Sequence, residues 1–204
     1  VTESGECGVI RARTEPQLRS GRASATGASG LEHLNGLAQG RGRCEVVGGS
    51  DRAVRKDGGV VRLTGHETFA VKVTGEQADG AFAFMDGLIE PDHGNVPHIH
   101  LKEDEAFYIL SGEFEFINGN ERILAGPGDF VYIPKGTRHG FRNSGSEPAR
   151  LLVFYTPAGP ESFFLAYGET ERDPAPWPDE KFNEMVDILG AHNMVLLPGD
   201  HDWD

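Results

Sequence analysis

The amino-acid sequence predicts an all-β protein folded as an antiparallel barrel, and three observations carry that prediction. From Gly59 to about Pro157, short runs of alternating apolar and polar residues follow one another closely, each ended by turn residues. The 204-residue chain holds 28 Gly and 12 Pro, which suits many short strands better than long helices. Helical spacing of apolar residues is confined to the region beyond that stretch.

Taken in order, residues 1–56 read as an irregular or disordered extension. RSGRASATGASG (19–30) and GLAQGRGR (36–43) carry too few large apolar side chains to offset their ordering entropy, and GLEHLNGL (30–37) offers one brief helical turn. Residues 57–158 then form the barrel. Its strands are read at 60–64, 67–74, 80–90, 96–102, 105–112, 113–118, 121–125, 129–134, 139–143 and 149–157, with Asn118-Gly119 as a hairpin turn. Residues 159–204 form a C-terminal helical segment packing on the barrel. PESFFLAYGE (160–169) opens with Pro and an acidic first turn. DEKFNEMVDILG (179–190) sets Phe182, Met185, Val186 and Leu189 on one face and stops at Gly190. DPAPWP (173–178) between them is a connector.

The formal net charge of −13 argues against a nucleic-acid partner, which calls for a basic face. Residues 1–62 hold ten basic and seven acidic residues (net +3), and the remainder nine basic and 25 acidic (net −16). No apolar run approaches the roughly 20 residues needed to span a bilayer, and the first residues lack the apolar stretch of a secretory signal. Cys7 and Cys44 stand in no CxxC or Cys–His spacing, which argues against a zinc knuckle; reduced thiols are expected, with a disulfide closing the extension as the alternative. A cytoplasmic protein without membrane or nucleic-acid partners is therefore expected.

Chemistry concentrates in His98-Ile99-His100-Leu101-Lys102-Glu103-Asp104-Glu105. Histidines at i and i+2 of a strand share a face, and after a short turn Glu105 can reach the same point from the next strand. His139, opening the strand after Pro134-Lys135-Gly136, is the fourth candidate. Imidazole and carboxylate donors together suit a divalent first-row transition metal. Glu103 and Asp104 read as solvated turn residues, and His66 and His93 as surface residues outside the group. Gly112, Gly128 and Gly136 fall where the chain must turn sharply with φ above zero.

These residues carry a resemblance to the cupin superfamily. The first cupin motif is HxH, three or four residues, Glu, six residues, Gly; here it is His98-x-His100, four residues, Glu105, six residues, Gly112. The second is matched throughout by Gly128, Pro134-Lys135-Gly136, His139 and Asn143 at the family spacing. The Gly usual six residues before the first His is absent, Gly94 lying only four before it, which puts the entry loop in question. The resemblance covers residues 60 to 157. It implies a jelly-roll barrel, a site with His98, His100, Glu105 and His139 as ligands, and one divalent ion (Fe, Mn, Ni, Co or Zn). It also implies a homodimer, and Asn143 as a turn-tying residue.

Strand parity adds a pocket. Phe107 and Ile109 follow Glu105 on its face, Phe141 follows His139, and Phe130 and Tyr132 on the neighbouring strand are further wall candidates, as are Phe82, Phe84, Phe114 and Phe116. Twelve Phe against four Tyr and two Trp suggest a π-rich interior for a flat aromatic or polyketide-like molecule. The chain resembles small bacterial cupins similar to quercetin 2,3-dioxygenases, also in AHNMVLLP after the barrel. That resemblance implies a metal-dependent dioxygenase using O2 on an aromatic or polyphenolic substrate, with Glu105 as catalytic base. A Zn-dependent polyketide cyclase or isomerase and a non-catalytic small-molecule binder are the alternatives.

Overall fold

The alternating pattern becomes two facing antiparallel sheets in the computed structural model, which describes residues 54–56, 58–170, 179–196 and Trp203. The extension 1–53 with Cys7, Cys44 and the turn at 30–37, the connector 173–178 and the side chain of Phe182 lie outside the described residues. The strands are β1 (Val60–Thr64), β2 (Glu67–Val73), β3 (Ala83–Ile89), β4 (His98–His100), β5 (Asp104–Ser111) and β6 (Phe114–Asn118). They continue as β7 (Glu121–Ala125), β8 (Phe130–Ile133), β9 (Arg138–Asn143) and β10 (Ala149–Thr156). Helices α1 (Glu161–Tyr167) and α2 (Asp179–Ala191) follow, then β11 (Met194–Val195), a strand the sequence reading did not anticipate.

One sheet runs β1-β2-β3-β10-β5-β8 and the other β11-β4-β9-β6-β7, a jelly-roll arrangement. No ladder joins the sheets edge to edge among the described residues. Inward-facing Phe107, Phe114, Phe116 and Phe141 interlock between them with Met85, Ile109 and Leu151, all nearly inaccessible to solvent. Gly112, Gly128 and Gly136 take φ of +81°, +91° and +79° at strand ends. The β6–β7 turn differs by one residue from expectation. Asn118 pairs with Glu121, so Gly119-Asn120 forms the loop, with Gly119 at φ +62°.

Asn143 holds the end of β9. Its side-chain amide donates to the carbonyls of Ile89 (3.0 Å) and Glu147 (2.8 Å), and its Oδ1 accepts from Gly145 N–H (2.9 Å). Helix α1 is tied to β1 through the Leu63–Glu169 bridge and presents Phe163 and Phe164 inward. Helix α2 lays Leu189 against Phe163, and the chain returns as β11 to pair Met194 with His100. No helix among the described residues is long and apolar enough to cross a membrane.

Candidate metal centre and its cavity

Three strands of different origin bring the four candidate ligands together. His98 and His100 share the inner face of β4, and His98 pairs with His139 of β9 in the same sheet. Glu105, on β5 of the opposite sheet, closes the group from across the core. One donor atom from each of the four residues lies within 4.8 Å of the others, and all four residues are buried.

Hydrogen bonds fix how the rings face. Nδ1–H of His98 donates to the Val96 carbonyl (2.9 Å), and Nδ1–H of His139 donates to the Thr137 carbonyl (2.8 Å). Each ring therefore turns its Nε2 lone pair inward. There Nε2 of His98 stands 3.0 Å from Nε2 of His100, while Glu105 Oε2 lies 2.7 Å from Nε2 of His139 and 3.3 Å from Nε2 of His100. Lone pairs this close repel unless a cation stands among them. A proton on His98 is a poor substitute, because burial and then the charges of His139 and His100 lower its pKa well below the ordinary histidine range. Burial alone would raise Glu105, but its place beside the imidazole nitrogens of His100 and His139 outweighs that and holds the carboxyl well below the usual carboxylate range. The donor set thus fits a divalent metal ion, with His98, His100, Glu105 and His139 able to hold it.

Glu103 corrects the sequence reading. It is 3% exposed, not solvated, and its Oε2 sits 3.9 Å from Nδ1 of His100, both atoms buried without a hydrogen-bond partner. Asp104 is half-buried, and its Oδ1 accepts from Lys135 N–H (2.9 Å) across the turn. Gly94 resolves the entry-loop question. A Cβ there would stand 1.9 Å from the Phe141 carbonyl oxygen, so only Gly lets the loop lie along β9.

The histidines open on a cavity of about 340 Å³. Of the predicted wall, Phe141 lines it. Phe107 lies instead in the core against Phe116 and Phe141. Phe130 and Tyr132 are 37% and 39% exposed on the outer face of β8. The register explains this: Glu105 pairs with Ile133 and Phe107 with Val131, so Val131 and Ile133 share the ligand face while Phe130 and Tyr132 point away. Phe84 pairs with Phe154 on that same outer side, and Phe82 stacks on Phe154 (5.3 Å).

Much of the real wall was missed. Phe69, Phe163, Phe164, Met185, Leu189 and Met194 form its apolar part. Alternation along β2 marks Phe69 as inward, but nothing local says that α1, α2 and β11 fold back over the histidines. Tyr155 also lines the cavity and stands opposite Glu105 across β5 and β10. Burial first, then Glu105, push its hydroxyl well above the ordinary tyrosine range. His66 is exposed, as expected of a surface residue, and His93 is half-buried; their rings stack with centroids 3.7 Å apart, and both also line the cavity.

Comparisons with known proteins agree with this geometry. The cupin domain profile matches residues 87–155, a span holding all four candidate ligands. Quercetin 2,3-dioxygenase of Bacillus subtilis is 27% identical over 107 residues, covering 52% of this chain and 32% of that one. Protein SchB of Streptomyces halstedii is 31% identical over 107 residues, 52% of this chain and 72% of its own. Tetracenomycin polyketide synthase protein TcmJ of Streptomyces glaucescens is 26% identical over 101 residues, 48% of this chain and 66% of its own. The chain thus spans only about a third of the Bacillus enzyme's length. A jelly roll in which strands β4, β5 and β9 aim three imidazoles and a carboxylate at one point, matched by that profile and by a relative covered over most of its length, belongs to the cupin family.

Proposed function

We propose that this chain is a metal-dependent dioxygenase acting on a hydroxylated aromatic small molecule. The carrying observation is that the imidazoles of His98 and His100 form part of the wall of an aromatic cavity, with Glu105 directly behind them. Similarity to a quercetin 2,3-dioxygenase supports the choice of chemistry. A divalent ion held by His98, His100, Glu105 and His139 supplies Lewis acidity, and as Fe, Mn, Ni or Co also redox chemistry with O2.

The remaining work falls to this chain's own side chains. Phe69, Phe163 and Phe164 exclude water and offer ring faces to a planar ligand. In this reading Glu105 takes the proton of a ligand hydroxyl, and Tyr155, its cross-strand neighbour, lines the cavity beside it. The outer aromatic face of β5, β8 and β10, with Tyr108, Phe130, Tyr132 and Phe154 exposed, supports pairing with a second copy as a homodimer.

Elemental analysis of the purified chain, with O2 uptake followed on flavonol substrates, tests the reading. Near one equivalent of Fe, Mn, Ni or Co with O2 consumed is expected. Similarity to the polyketide synthase protein supports a second reading, Lewis-acid cyclase or isomerase chemistry. Zn as the bound metal with no O2 uptake would favour it, and tight binding without turnover would favour a carrier.

A further inference from the structure

A carboxylate other than Glu105 lines this cavity, and neither the motifs nor the proposed mechanism uses it. Glu67 opens β2 on the face that carries Phe69 and Val71 into the core, and it lines the cavity with 8% exposure. Its Oε2 accepts from Thr64 Oγ1 (3.1 Å) across the β1–β2 turn. Its Oε1 is buried with no hydrogen-bond partner. The hairpin requires only the Thr64 bond, so an unpaired oxygen beside a ligand-sized cavity is a cost without local return.

We propose that Glu67 is a substrate-binding residue, presenting a neutral carboxyl whose O–H donates to an anionic or carbonyl oxygen of the bound molecule. This deepens the aromatic-ligand reading and rests on it: the favoured ligand carries a second oxygen, an enolate, phenolate or ketone, within reach of Glu67. Protonation at neutral pH accords with the surroundings. Burial, opposed by the Thr64 bond and aided by the Glu105 charge, raises Glu67 to about 7. The other titratable groups on the cavity are His66, His93, His98, His100 and Tyr155, and the buried carboxylate of Glu161 on α1 is occupied by Gly75 and Gly159 N–H. Below its pKa Glu67 donates; above it, the carboxylate repels an anionic ligand. Its acid form beside ionised Glu105 gives two carboxyls separate tasks.

The test uses the full chain loaded with Zn, with O2 excluded, so that binding is read without turnover. Quercetin affinity is measured by fluorescence titration from about pH 5.5 to 9 in wild type, Glu67→Gln and Thr64→Val, with metal content checked in each. Gln keeps an N–H donor at every pH, so the ratio of wild-type to variant affinity cancels the titration of quercetin itself. That ratio is expected to be flat below pH 7 and to fall about tenfold per pH unit above it. Removing the Thr64 hydroxyl is expected to move the break to higher pH. Parallel profiles in wild type and Glu67→Gln would overturn the proposal, and so would absence of quercetin binding at any pH. A break at pH 7 without O2 uptake under the redox metals would keep this inference and sink the dioxygenase reading, so the two fail separately.

Discussion

The two faces of strands β5, β8 and β10 have similar residue chemistry and opposite fates. On the inner face Phe107, Ile109, Val131, Ile133, Leu151 and Val153 are at most 1% exposed. On the outer face Tyr108, Leu110, Phe130, Tyr132 and Phe154 are 36–43% exposed. Both faces are apolar and aromatic, so residue type does not tell a core or cavity wall from an outer surface. Register does, because each cross-strand pair lies on one face: Glu105 opposite Ile133 and Tyr155 defines inside, Ala106 opposite Tyr132 and Phe154 defines outside.

Mutations can break that comparison, the largest effects coming from the inner face. His100→Ala and His139→Ala are each expected to weaken metal binding by more than about 100-fold, beyond the usual cost of losing an outer-shell partner. Tyr108→Ala should leave it unchanged. Metal content after exhaustive dialysis checks this, and a full equivalent retained by both His variants would remove the site. In the core, Phe107→Ala should cost about 3–5 kcal/mol by denaturant unfolding, because the cavity it leaves among Phe114, Phe116 and Phe141 cannot collapse. Tyr108→Ala, one residue away on the wet face, should cost less than about 1 kcal/mol.

Glu67 sharpens the comparison with pH. Its pKa is raised from 4.5 to about 7 in the folded chain, so the fold keeps the neutral form better than the unfolded chain does. This contribution is fully present below pH 4.5 and is lost as pH rises through 7. Glu67→Gln should therefore gain stability over wild type across that window, on the order of 3 kcal/mol at its upper end. Melting curves at pH 4 and pH 8 with the same difference between the two proteins would contradict it. The smallest stability effect belongs to the outer face. Tyr108→Glu with Tyr132→Glu should change stability by less than about 1 kcal/mol yet convert a dimer to a monomer by light scattering. A wild-type monomer would refute the pairing.

Against these contrasts, what the sequence discloses follows from range. Alternation is local, so the ten barrel strands were legible, and so was a histidine pair on one face of β4. The spacing of the two cupin motifs also carried Glu105 and His139, which follow turns that cross from one sheet to the other. Phe130 and Tyr132 were misplaced because β8 alone does not state its register against β5. Glu103 was misread because a charged turn residue ordinarily meets water, whereas here its carboxylate lies under the His100 ring side. Glu67 was legible in principle from the Glu67-Phe69-Val71 alternation. The return of α2 and β11 over β4 depends on contacts nearly a hundred residues apart, and no local pattern encodes it.

That return has a consequence for how such a protein diversifies. The ligands sit on β4, β5 and β9, whereas Thr64, Glu67, Phe69, Phe163, Met185 and Leu189 come from segments before and after those strands. Inorganic chemistry and a large share of the cavity wall are thus written in separable stretches of one polypeptide. They are stitched together by the two-residue strand β11, where Met194 pairs with His100 and the Asn193 carbonyl accepts from Leu101 N–H (3.0 Å). Exchange of the flanking stretches in a descendant would re-tailor the guest while the ion's own cage is inherited intact.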